Sequence, residues 1–196
     1  MRVMVLMAAV MAAALYSQAA AQTRPEEPAG AADVEVIDSV STMIKESGNL
    51  PVKQAALAAL NGDGRRNAML VLGLLALQDE TLDEALRWFG KLRTIDAADP
   101  EAPFLIALTQ TWAGSSDDAL RTLQGIERPE GLPRRDIYLE HVSRTRRDAG
   151  EKAQQGSLRC VLEFFAWYEN RPASDGAGPL SKDCAARAPA PVKPVR

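Results

Sequence analysis

The residue types that most often carry out chemistry in proteins are scarce in this chain. His141 is its only histidine, and Cys160 and Cys184 are its only cysteines. A catalytic triad needs a histidine beside a nucleophile and an orienting acid, and no recognisable motif of that kind includes His141. No second histidine or cysteine lies at the spacing of metal ligands. His141 is therefore expected either on a helix surface or packed among other side chains. The sequence predicts no catalytic, metal or cofactor site.

Two kinds of polar cluster have structural explanations. The Asn-Gly-Asp-Gly segment at 61–64 lacks the further acids of a calcium loop, so it is predicted to be an ordinary turn. The acid pairs at 83–84 and 117–118 stand at predicted helix starts, where negative charge favours the helix dipole. Phosphate-binding glycine loops and hydrolase motifs are also missing. The chain is therefore not expected to be an enzyme or to have a small-molecule substrate.

The two cysteines are a disulfide candidate, because an even pair in an exported protein is usually bonded. Cys160 falls on a predicted helix, and Cys184 follows in a Pro- and Ala-rich tail. The intervening chain is long enough for the tail to fold back along the helix. The alternative is a buried free thiol at Cys160 and an unattached Cys184.

Composition limits the class of protein. The formal net charge is −3, which argues against a general nucleic-acid binder. Apolar residues make up 46% of the chain but aromatic residues only 5%, so the core must be built mainly from aliphatic side chains. Such a core suits closely packed helices, and the length suits a domain with a substantial core.

The first residues have the pattern of a signal peptide. Arg2 precedes an unbroken apolar run from Val3 to Tyr16, and small residues follow at Ala19 and Ala21. A membrane-spanning helix needs about 20 apolar residues, which is more than this run supplies, so cleavage after Ala21 is favoured over an uncleaved anchor. Residues 1–21 are therefore predicted to be removed, which leaves an exported protein, and the composition indicates a bacterial periplasm.

Apolar spacing and turn residues divide the remaining chain. Residues 22–32 read as a disordered leader, 33–171 as a helical domain, and 172–196 as a disordered or extended tail. Thr81 followed by Glu84 predicts a capping box at one helix start. Helices are predicted over 33–48, 51–60, 67–78, 82–95, 101–113, 117–126, 134–147 and 158–168.

Three pairs of equivalent positions are separated by the same distance in the sequence, about 34 residues. Ala85 matches Ala119, Thr81 matches Ser115 in the turns, and Phe89 matches Leu123. Paired helices with this period, about 34 residues, are typical of tetratricopeptide repeats. Stepping on by the same period reaches Ala153, which predicts a weaker third repeat with its second helix around that residue.

Residues 66–133 resemble the tetratricopeptide-repeat family. The small and large apolar residues of its pattern are matched by Gly73, Ala85, Phe89, Ala107, Ala119 and Leu123. The run ALRWFGKL is also similar to the related Sel1-like repeats. The chain departs from the pattern at Met69, where a tryptophan is usual, and at Pro100, which comes a few residues late. The resemblance implies an all-α array of helical hairpins with degenerate terminal repeats and a C-terminal capping helix; an unrelated helical bundle is the alternative.

The resemblance also implies a function, a scaffold that binds another protein or peptide in a cell-envelope complex. Its concave groove would be lined by the first helix of each repeat. The lining lacks the Lys/Asn clamp with which family members hold a terminal carboxylate, so an apolar segment is the expected partner. The implied groove residues are Asn67, Leu70, Leu74, Glu101, Phe104, Leu108, Arg135, Tyr138 and Val142.

The helix predicted over 158–168 has two apolar faces, so it needs two neighbours. Phe164 and Trp167 lie with Cys160 on the second face, which either the chain's own tail or a partner would cover. A structural or oligomerising subunit that uses this helix is the alternative function, followed by an enzyme accessory protein. Membrane contact is compatible with this face but not required. The arginines at 144, 146 and 147 form either a solvated helix face or a contact for an acidic partner or lipid headgroup.

Overall fold

The computed structural model describes residues 48–170 and 179–187 of the 196-residue chain. All regular structure in these two ranges is helical, without a strand, so the predicted all-α class is confirmed for them. The predicted signal peptide, the leader and the helix predicted to begin at residue 33 lie outside the described residues, apart from Gly48 at its end.

The chain divides into two compact units, residues 1–75 and 76–196. The first unit contains helix α1 (Asn49–Ala59) and most of helix α2 (Arg65–Gln78). Helix α1 begins before Pro51, which remains in the first turn, where its missing N–H costs no hydrogen bond. The predicted turn at 61–64 is confirmed, and it separates the two helices. Helix α2 is apolar on every side, and each of its residues from 68 to 77 is buried.

The second unit begins with three consecutive helices, α3 (Leu82–Ile95), α4 (Glu101–Trp112) and α5 (Ser116–Gln124). Their bounds lie close to the predicted ones. Helix α4 packs against both α3 and α5, through connections short enough for hairpins. Ala85, Ala107 and Ala119 have no exposed surface.

The remaining helices are α6 (Asp136–Ala149), α7 (Gly156–Asn170) and the short α8 (Lys182–Ala186). Turns of 3₁₀ helix at Pro129–Gly131 and Gly150–Gln154 precede α6 and α7 respectively. Helix α7 packs against α5 and α6, and α6 also contacts α4. The core of this unit therefore lies between the α3–α5 stack and the last two long helices.

The predicted capping box at Thr81 is wrong. Thr81 does occupy the N-cap position of α3, but its side chain makes no capping hydrogen bond. Its hydroxyl instead donates to the carbonyl oxygen of Ala76 at 3.0 Å. This carbonyl is among the last of α2, which have no partner within the helix, so the threonine closes the preceding helix.

The second helix of the third repeat was placed wrongly around Ala153. That residue lies in a 3₁₀ turn, and the helix that follows α6 is α7. Gly150 and Gly156 adopt φ values of +48° and +49°, a left-handed conformation that interrupts an α-helix at both ends of this turn.

The tail is more ordered than predicted over its described part. Ser181 caps α8, where its Oγ accepts a hydrogen bond from the backbone N–H of Cys184 at 3.4 Å. The Cys184 side chain has no exposed surface.

Candidate functional site

The groove residues implied for the first repeat lie on α2. Leu70 and Leu74 are buried, and Asn67 is half-buried. The two leucine side chains therefore belong to the apolar interior and present little surface to a partner.

The groove residues implied for the second and third repeats are also buried. None of them is more than 7% exposed. These side chains therefore do not face an open groove in this conformation. The residues concerned are Glu101, Phe104, Leu108, Arg135, Tyr138 and Val142.

Helix α7 fills the place where a partner was expected. The ring of Phe104 lies 4.6 Å from that of Tyr168 and 5.9 Å from that of Phe165, measured between centroids. Phe104 also faces Tyr138 of α6 at 6.3 Å. Aromatic side chains bury large apolar areas, so this cluster holds α7 against α4 and α6. Helix α7 of the same chain therefore covers the surface of α4 that was expected to bind a partner.

The charged residues of the predicted lining form a buried cluster. The hydroxyl of Tyr138 donates to Glu101 Oε1 at 2.6 Å, and Arg135 Nε lies 3.6 Å from the same oxygen. Glu101 is the first residue of α4, where the helix dipole favours a carboxylate. Burial, and then the charge of Glu101, raise the pKa of Tyr138 well above its usual range. The cluster therefore keeps a neutral phenol as a hydrogen-bond donor and joins α4 to the start of α6.

The predicted Cys160–Cys184 disulfide is present, with a distance of 5.4 Å between the Cα atoms. It attaches α8 to α7. Gln124 Nε2 of α5 donates to the carbonyl oxygen of Cys184 at 3.0 Å, and Glu163 of α7 accepts hydrogen bonds from Ser181. The tail therefore folds back onto α7, as the first of the two alternatives for the cysteines expected.

The second interface candidate, Phe164 with Trp167, is largely closed. Phe164 has no exposed surface, and Trp167 is half-buried with its ring 5.5 Å from that of Phe164. Phe164 also faces Phe104 of α4 at 6.4 Å. The second apolar face of α7 is therefore used mainly within the chain.

His141 lies on α6 and packs against the last residue of α4. Its ring meets that of Trp112 edge-on at 5.4 Å, and the guanidinium group of Arg144 lies 4.8 Å from the centre of the same tryptophan ring. Burial lowers the pKa of His141, an effect that Glu140 opposes and Arg144 reinforces. Trp112 Nε1 also donates to Thr145 Oγ1. This arrangement fastens α6 to the end of α4.

The chemistry available in the described part is limited. Within residues 48–170 and 179–187, no three His, Cys, Asp or Glu side chains are grouped so that they could hold a metal ion. Among the helices described, none has the length and apolarity needed to cross a membrane.

A basic cleft between α6 and α7 was not predicted as a site. Arg147 and Arg159 line it with Glu169. The arginine run that includes Arg147 was visible in the sequence. Nothing in the spacing of residues indicated that Arg159 and Glu169 of another helix would lie beside it.

No family model matches the chain, and no curated protein or solved structure is significantly similar to it.

Proposed function

We propose that this chain is an exported scaffold of the tetratricopeptide type, which binds another protein within a bacterial cell-envelope complex. It acts by presenting a fixed helical surface and carries out no reaction of its own.

The observation that carries the proposal is the packing of α3, α4 and α5. Each helix contacts the next, and the alanines at equivalent places in two successive hairpins, Ala85 and Ala119, have no exposed surface. Small buried residues that recur at the tetratricopeptide period let neighbouring helices approach closely, as helical repeats require. Repeats of this kind build extended surfaces on which other proteins bind.

The partner is expected on the outer surface of the second unit. Helix α7 occupies the inner side of α4, so an apolar segment cannot enter there without displacing the aromatic cluster around Phe104. The same cluster, together with the disulfide to α8, gives the second unit a rigid frame. A rigid frame lowers the entropy that is lost on binding.

Crosslinking in intact bacteria tests the scaffold function. Epitope-tagged full-length chain is expressed in the bacterium that produces it, crosslinked with formaldehyde, purified under denaturing conditions and analysed by mass spectrometry. The expected product is a discrete species containing one other envelope protein. The control is the same tagged chain in cells lysed and denatured before crosslinking, which should lose that species.

Two results would contradict the proposal. Recovery of uncrosslinked chain alone would contradict the proposed scaffold function. Recovery of multimers of this chain alone would favour the oligomerising subunit instead.

A further inference from the structure

A cleft of about 570 Å³ lies between α6 and α7 and is open to solvent. Its volume falls within the range of ligand-binding pockets, about 300–1,000 Å³. Arg146 and Arg147 contribute from α6, and Arg159 contributes from α7. Ala153 and Leu162 supply an apolar part of the lining. The cleft therefore combines positive charge with a small apolar surface.

The three arginines are not equally engaged. Arg146 pairs with Glu169, which also accepts a hydrogen bond from Ser143. The guanidinium group of Arg147 makes no hydrogen bond or ion pair with any residue in the described part of the chain. Within the same part, the guanidinium group of Arg159 reaches only the Sγ atom of Cys184, at 3.9 Å. With Arg146 neutralised by Glu169, two guanidinium groups are left to meet a ligand.

The remaining arginine of the same run does not add unpaired positive charge beside the cleft. Arg144, the remaining arginine of the run at 144–147, pairs with Glu80 at 2.7 Å and with Asp148 at 3.6 Å. The two arginines that have no carboxylate partner in the described part of the chain therefore both line a concave site. A planar anionic membrane would need a continuous basic surface, and the net charge of −3 for the whole chain also opposes such binding.

Carboxylates match the guanidinium groups that line the cleft. The planar guanidinium group matches a carboxylate with two parallel hydrogen bonds. Arg146 and Glu169 already form a carboxylate–arginine pair at this place.

We propose that the cleft between α6 and α7 binds an acidic segment of a partner protein. Two carboxylates of that segment pair with Arg147 and Arg159, and an intervening apolar side chain lies against Leu162 and Ala153. This inference rests on the proposed scaffold function, for which it names the binding site and the chemistry of the partner.

Peptide binding to the mature full-length chain tests the cleft by fluorescence anisotropy. The probe is a fluorescein-labelled peptide of three Glu-Leu pairs, and its matched control has glutamine in place of each glutamate. The glutamate peptide should bind about tenfold or more tightly than the glutamine peptide, because each charge-assisted hydrogen bond contributes strongly to affinity.

The variant pair is matched in charge. Arg147→Gln with Arg159→Gln should weaken binding of the glutamate peptide about tenfold or more. Arg87→Gln with Arg93→Gln removes the same charge from two exposed residues of α3 outside the cleft, and it should leave the affinity unchanged. Circular dichroism and thiol labelling verify that both proteins remain folded and disulfide-bonded. If the cleft variant fails to fold, Arg147→Gln alone is used, since Arg147 is exposed.

Several results would overturn the cleft. The first is equal affinity of the chain for the two peptides, and the second is an equal loss of affinity in both double variants. The third is that the unaltered chain binds phosphatidylglycerol vesicles and the cleft variant does not, while both bind the glutamate peptide equally. Crosslinking separates this failure from failure of the scaffold. If a partner crosslinks equally to the cleft variant, the proposed binding site is contradicted but the proposed scaffold function is not. If the unaltered chain crosslinks to no partner, both proposals are contradicted.

Discussion

At the scale of single residues, the side chains with the strongest chemistry serve mainly to hold helices together. Glu101, Arg135 and Tyr138 form a buried polar cluster between α4 and α6. His141 packs on Trp112 between the same two helices. Both groups make the position of α6 sensitive to single substitutions, which leads to two predictions.

The first concerns the buried ion pair. Glu101→Gln should lower the free energy of unfolding by about 3 kcal/mol or more, because it removes the charge of a carboxylate that lies 3.6 Å from a buried guanidinium group. Tyr138→Phe should cost about 1–3 kcal/mol, since the carboxylate loses one hydrogen bond. Chemical denaturation measures both changes.

The control for that prediction is a double-mutant cycle. Arg135→Met together with Glu101→Gln should cost less than the sum of the two single substitutions, because the two charges are then removed together. Strictly additive losses would mean that the 3.6 Å contact between the two charges contributes nothing.

The second concerns pH. Burial lowers the pKa of His141 in the folded chain, so the unfolded chain takes up its proton first as the pH falls. Stability is therefore complete above the ordinary histidine pKa of about 6.5 and declines as the pH falls from there towards the folded pKa. Because His141 is the only histidine, His141→Gln should remove this decline.

Denaturation at pH 7.5 and 5.5 measures that effect. The unaltered chain should lose more stability between these two values than His141→Gln does. An equal loss in both proteins would show that the histidine is as easily protonated when folded as when unfolded.

At the scale of helices, apolar spacing predicted some elements well and failed at others for identifiable reasons. The stripe of Ala85, Phe89 and Leu92 placed α3 correctly, because these residues recur at the helical period and face the core. The same pattern cannot indicate what covers a face. The resemblance to tetratricopeptide repeats, not this pattern, assigned Phe104 to a partner-binding groove, although the covering helix α7 comes much later in the sequence.

Helix α8 was missed for a different reason. It has only five residues, too few to be stable by local propensity, and tertiary contacts hold it in place. The disulfide to Cys160 was a candidate from the sequence, but the hydrogen bonds from Ser181 to Glu163 were not accessible to a local pattern. Likewise, the cleft between α6 and α7 depends on which faces of two helices meet.

The attachment of α8 leads to a third prediction. Replacing both cysteines by alanine should lower the free energy of unfolding by about 3 kcal/mol, because the bond closes a loop between positions separated by 24 in the sequence and restricts the unfolded chain. Chemical denaturation under non-reducing conditions measures the loss. Adding a reductant should bring the unaltered chain close to the level of the variant and leave the variant unchanged. A loss that is negligible beside this value would mean that the hydrogen bonds hold α8 without the disulfide.

At the scale of the whole molecule, the proposed export to the periplasm makes one demand on the amino-terminal segment and another on the cysteines. Disulfides persist in oxidising compartments such as the bacterial periplasm and are rare in the cytosol. The apolar run behind Arg2, followed by Ala19 and Ala21, has the form of a signal that would take the chain there. The two features lie in different parts of the chain, one at Cys160 and Cys184 and the other at the amino terminus.

The fourth prediction therefore joins export to the disulfide. Full-length chain expressed in a bacterium should be recovered from the periplasm with Gln22 as its first residue and without free thiols. A chain that lacks residues 2–21 should stay in the cytosol with both thiols free, and it should gain about 3 kcal/mol of stability when it is oxidised after purification. Amino-terminal sequencing and thiol labelling of denatured, unreduced protein measure these outcomes.

A mature protein that still begins at Met1 would contradict the cleavage, and free thiols in the periplasmic protein would contradict the bond. If the shortened chain were fully oxidised in the cytosol, the disulfide would carry no information about compartment, and export would rest on the amino-terminal residues alone.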